Sequence, residues 1–168
     1  PGYKAFRTFT EDEQRALDLA YNRALSALDA NTECQNFFVT VLSKIGLVGK
    51  NGDASATLQG IKQNGGFQRG SRDKDIASTL FPAGSQSSIA LHNPFFSRTV
   101  GNTTTMFRPD PDQSPTDARA LTLLHELAHA MYRNFHGNPF FMSSEELDRT
   151  LYDKCFNSGQ SPLPKGIS

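Results

Sequence analysis

The sequence predicts an α+β fold, mainly helical, with a small mixed or antiparallel sheet. Three observations predict it. Apolar residues recur at helical spacing behind capping residues; two short stretches have strand character; and one long apolar helix is bounded by Ser114-Pro115 at its start and Gly137 at its end. The 168 residues are about one domain's worth, enough for a single core. We expect that domain over residues 1–156 and an extended or disordered tail over 157–168, which contains Pro162 and Pro164.

The first helix starts at Thr10, because Thr10-Glu11-Asp12-Glu13 has the form of a capping box. Leu17, Tyr21, Ala24, Leu25 and Leu28 follow at helical spacing and end near Asn31. A second apolar stretch, Phe37 to Val48, reads as a shorter helix broken at Gly49-Lys50-Asn51-Gly52. From Asn51 to about Arg72 the chain is rich in Gly, Asn, Gln and Ser, and reads as loop with at most one helical turn. Ser88–His92 alternates weakly, and Thr103–Phe107 is β-branched and aromatic. These are the strand candidates, expected as antiparallel neighbours. A helix then runs from Pro115 to about His136, with Ser114 able to cap it, Asp117 in its first turn and Gly137 after its end. Gly137-Asn138-Pro139 turns the chain into a last helix from Ser143 to about Phe156.

Charge and composition exclude several classes. Seventeen basic and 17 acidic residues cancel without forming a block of either sign, so no broad phosphate-tracking surface for nucleic acid is expected. No apolar run approaches the roughly 18 residues of a membrane span. A mean hydropathy of −0.47 is that of an ordinary soluble protein, and a monomer is expected. Cys34 and Cys155 form no CxxC pair, so a structural zinc knuckle is disfavoured. They either form a disulfide, which would favour a secreted protein, or remain as two buried thiols. Residue 1 is Pro, with no signal-peptide pattern, so a processed or engineered start is expected.

The chemistry concentrates in His125-Glu126-Leu127-Ala128-His129. Between Ala120 and Tyr132 these two imidazoles and one carboxylate are the only groups titrating below pH 8; the surrounding helix is apolar on every side. Such a helix is normally buried, and burying those groups uncompensated costs several kcal/mol. A divalent metal compensates them. His125 and His129 stand at i and i+4, about 6 Å apart on one face, within reach of one Zn²⁺ ion at roughly 2.0–2.1 Å. Glu126 lies about 100° round the helix from His125, in place to act as general base toward a metal-acidified water.

A catalytic site of this kind takes a third protein ligand. His136 is about 10 Å further along the same helix, too far for the same ion. Glu146 is the preferred candidate, because it lies nearer the Leu147/Leu151 stripe of the last helix than Glu145 does. Glu145, Asp148, His136 and His92 are the alternatives. Ser143-Ser144-Glu145-Glu146 also reads as a capping box, which would engage Glu146 with backbone instead.

HELAHA on a Leu-rich helix, then Arg133, Gly137, Glu145-Glu146-Leu147 and Arg149-Thr150, resembles the gluzincin side of the zincin superfamily. It is most similar to clostridial neurotoxin light chains and compact bacterial effector peptidases, over roughly Leu121 to Thr150. The metzincin pattern is absent, since Tyr132 and Phe135 occupy the positions of its Gly and third His. Two departures stand out: Asp148 precedes Arg149, and the spacing from His129 to the Glu pair is short. The resemblance implies a zincin fold whose sheet edge lines the cleft, with the second Glu of the pair, Glu146, ligating zinc. Ser88–His92 or Thr103–Phe107 would supply that edge and pair with an extended peptide. Tyr152 or His92 would polarise the oxyanion. The expected activity is zinc-dependent hydrolysis of peptide bonds in a peptide or protein substrate. The alternatives are a zinc amidase acting on a non-protein substrate and a silent zincin-fold binding protein.

Overall fold

The computed structural model describes residues 7–41, 53–80, 84–96, 115–132 and 143–156. Helix α1 (Glu11–Ala30) begins as expected: Thr10 caps it, and the Thr10–Glu13 box is closed in both directions. Helix α2 (Thr32–Asn36) follows at once because Asn31, which ends α1, turns its side-chain oxygen to the N–H groups of Glu33 and Cys34. A π-helical turn, Phe37–Val41, continues it.

Helix α3 (Ala54–Gln63) is a full element where the sequence reads as loop. Asp53 caps its start, and Ala54, Leu58 and Ile61 bury one stripe at i, i+4, i+7. It ends in a Schellman motif: Gly65 (φ 67°) donates to Lys62 O and Gly66 donates to Ile61 O.

The sheet is mixed and three-stranded, in the order β1 (Phe67–Arg69), β3 (Ser88–Leu91), β2 (Ala77–Leu80). Strand β1 runs parallel to β3, and β2 runs antiparallel to it. The expected strand at Ser88–His92 therefore exists, but as the central strand and not the edge; among the described residues the edge toward the cleft is β2. Gly70 lets the chain pass close to His92, since a Cβ there would lie 2.1 Å from its Nδ1.

Helix α4 (Asn93–Phe96) is a single turn, with Arg119 donating to the carbonyls of Phe95 and Phe96. Helix α5 (Pro115–Met131) is the central element and packs lengthwise on α1. The expected end near His136 lies outside the described residues. Helix α6 (Ser144–Leu151) starts at the expected Ser143 cap and continues as a π-helical turn, Tyr152–Phe156. Cys34 and Cys155 are disulfide-bonded, which ties the last segment to α2. The expectations for residues 42–48, Thr103–Phe107, the Ser114 cap, Arg133, His136, Gly137, Pro139 and the 157–168 tail lie outside the described residues.

One core joins all these elements, with Leu28, Phe38, Leu58, Ile89, Leu124 and Leu147 fully buried. Its polar hinge is Arg69, 4% exposed. Arg69 donates to Glu13 Oε2 (3.0 Å) and Asn93 Oδ1 (2.8 Å), and stacks over Phe96. The cap of α1, the end of β1 and the α4 turn thus share one buried cation.

Candidate metal and catalytic site

Helix α5 is buried on all sides over Ala120 to Ala128, so its polar side chains must find partners inside the protein. The rings of His125 and His129 lie side by side, centroids 4.9 Å apart. Two imidazoles sharing one tetrahedral ion, with arms of about 2.0–2.1 Å, have ring centres about 5 Å apart. The observed centroid spacing is close to that value.

Glu126 is 8% exposed, and burial pushes its carboxyl above the ordinary range. Thr79 of β2 holds it: Thr79 Oγ1 donates to Glu126 Oε1 at 2.6 Å and lies 3.0 Å from the same residue's backbone oxygen. The sheet edge is thereby fastened to the turn of α5 that carries the motif. The sequence gives no local sign of this bond, because Thr79 belongs to a four-residue strand of uniform half-burial.

Helix α6 supplies the third wall. Asp148 Oδ1 accepts from His125 Nδ1 at 2.6 Å. Burial lowers the affinity of His125 for a proton, but the hydrogen bond and charge of Asp148 outweigh it and raise the imidazole's pKa. A ligating histidine is commonly oriented by such a carboxylate on its other nitrogen.

Glu146 is not brought to the histidines. Its side chain is exposed, and its backbone N–H bonds the Ser143 hydroxyl, as does the first turn of any capped helix. Glu145 is exposed too. The reason is rotational. Leu147 and Leu151 are both buried as expected, but at about 100° per residue the centre of that stripe lies nearer Asp148 and Ser144 than Glu146.

The remaining candidates lie elsewhere. Tyr152 is 7% exposed within the core and lines neither cavity beside the motif. His92 is 1% exposed behind the sheet. Its Nδ1 accepts from the Arg72 N–H (3.3 Å), and its Nε2 faces Ser78 Oγ (3.1 Å). Burial first, then Arg72, lowers its pKa and keeps the ring neutral. Neither residue reaches the cleft in this conformation.

The cleft has a volume of about 400 Å³, with Ser78 and Thr79 on one wall, His125, Glu126 and His129 on the second, and Ser144 on the third. A second cavity of about 230 Å³ leads from His125 and Glu126 toward Lys74, Leu121 and Asp148. Among the described residues no third His, Cys, Asp or Glu joins the histidine pair in a metal-binding cluster.

Comparison with protein-family models, curated proteins and solved structures finds no match to this chain.

Proposed function

We propose that the chain is a zinc-dependent metallopeptidase of zincin type, with His125 and His129 holding the ion and Glu126 as general base. One observation carries the reading: a paired imidazole face and a buried carboxylate share one cleft with the edge of a sheet. Zinc bound there would acidify a water and polarise a carbonyl. The chain's own residues do the rest. Asp148 fixes the ring of His125; Thr79 aims Glu126; the raised affinity of Glu126 for a proton suits a group that takes one up and passes it on.

Strand β2 supports a peptide as substrate. Among the described residues its outer edge is unpaired and lies against the cleft, so an extended segment can add to it by backbone hydrogen bonds. The Cys34–Cys155 disulfide supports a secreted or otherwise oxidised location. No helix among the described residues is long and apolar enough to cross a membrane.

Glu126→Gln tests the reading. The variant keeps its zinc and its fold but cleaves casein or a quenched-peptide library at least about 10²-fold more slowly. Cleavage at near-parent rate would remove Glu126 from the chemistry.

A further inference from the structure

The connection from β1 to β2, residues 70–76, is wound round one imidazole. Its backbone is tied to the end of β3 and the start of α4 at three points. Gly70 N–H donates to Leu91 O (2.9 Å), His92 N–H to Ile76 O (2.8 Å) and Asn93 N–H to Arg72 O (3.1 Å). The Asn93 side chain adds bonds to Ser71 O (3.3 Å) and Asp73 Oδ1 (2.6 Å). Inside these ties the His92 side chain is 1% exposed. A Cβ on Gly70 would lie 2.1 Å from its Nδ1 and 2.3 Å from its Cε1, so the ring has no room to swing that way.

The hydrogen bonds fix the ring's proton. A backbone N–H only donates, so Nδ1, 3.3 Å from Arg72 N, is the acceptor. Nε2 then carries the single proton of the neutral ring and gives it to Ser78 Oγ at 3.1 Å. Burial opposes a charge on this ring most strongly. Among the charged groups of the described residues, Arg72 and Arg69 oppose it too, and Asp75 alone favours it. A second proton would turn Nδ1 into a donor facing the Arg72 N–H. It would also leave a buried cation with no new acceptor, and the ring could not turn past Gly70 to find one. The loop must move instead.

We propose that His92 is an acid-released latch: its neutral ring positions residues 70–76, and a proton on Nδ1 frees them. The loop matters to the cleft, because Lys74, Asp75 and Ile76 form a wall of the 230 Å³ cavity beside His125 and Glu126. It also leads directly into β2, whose Thr79 holds Glu126. The ring's pKa is depressed on folding. The latch is therefore complete above the ordinary histidine value of about 6.5 and is lost as the pH falls through the lowered one. Its bearing on hydrolysis rests on the zinc reading; the latch itself does not.

Two measurements on the disulfide-intact chain test this from about pH 7.5 to about 4.5, a range that ends where the Glu13 carboxyl begins to matter. Ring ¹⁵N shifts follow the proton on His92, and amide hydrogen exchange, corrected for its intrinsic pH dependence, follows residues 70–76. The ring should be the neutral Nε2–H tautomer at the upper end. As it takes up its second proton, protection of 70–76 should fall about tenfold or more, with the same midpoint, while that of α1 holds. His92→Asn keeps an oxygen branching where Nδ1 does but cannot titrate, so its loop protection should change by less than about twofold over the range. Gly70→Ala crowds the ring and should release the loop at every pH. A ring that gains its proton with the loop still protected would overturn the proposal, as would one still neutral at the acid end. So would an acid release in His92→Asn as large as the parent's. None of these readouts needs zinc or turnover, so a chain that binds no metal overturns the zinc reading and leaves the latch standing.

Discussion

Glu13→Gln probes the joint that holds the sheet to the first helix. The Glu13 carboxylate accepts from Arg69 (3.0 and 3.2 Å), from Arg7 (3.0 and 3.1 Å) and from the Thr10 N–H (3.1 Å). Partial burial pushes its pKa up, but these five donors outweigh it and hold the carboxyl at about 2, against an ordinary 4.5. The full shift corresponds to roughly 3 kcal/mol at about 1.4 kcal/mol per unit. Arg7 is 46% exposed, so solvent screening reduces the expected contribution to about 2 kcal/mol. The group's pKa is depressed on folding, so its contribution is complete above about 4.5 and is lost as the pH falls from there toward 2. Urea unfolding of the parent and of Glu13→Gln across pH 7 to 2.5 measures it. The variant should be about 2 kcal/mol less stable at pH 7, and the gap should close on acidification. A gap that is absent at pH 7, or independent of pH, would refute the role given to this network.

Two further outcomes follow from the same contacts. Thr79→Val removes the hydroxyl that holds Glu126, so hydrolysis should fall about tenfold or more and stability by about 1–3 kcal/mol, with zinc content unchanged. Parent-like turnover and unfolding would show that the bond does not aim the base. Replacing Cys34 and Cys155 together by Ser opens a cross-link spanning 121 residues and should cost about 3–5 kcal/mol in the chain-entropy account; denaturation with and without reductant checks it, and equal midpoints would contradict it.

The parts of the fold legible in the sequence are those with local signals. The Thr10 box, the Ser143 cap, the apolar α5 and the alternating Ser88–Leu91 stretch all mark elements that the structure contains. Helix α3 is obscured in the sequence by its Gly, Ser and Gln content, although Asp53, Ala54, Leu58 and Ile61 carry the cap and the stripe. Strands β1 and β2 are three and four residues long, too short for a period to register, and their register comes from pairing with β3. In the site, the HExxH spacing placed His125, Glu126 and His129 in one cleft. The choice among Glu146, Glu145 and Asp148 depends on the rotation of α6 about a stripe defined by two leucines, which only packing against α5 fixes. Thr79 and Arg69 act across 47 and 56 residues, a range over which sequence pattern has no reach.

The zinc content of the isolated protein tests the central claim most directly. Elemental analysis of chelator-free preparations should give about one zinc per chain, as a single His–His site predicts, and His125→Ala and His129→Ala should each abolish it. A parent chain that contains no transition metal, and takes up none when zinc is added, would contradict the account.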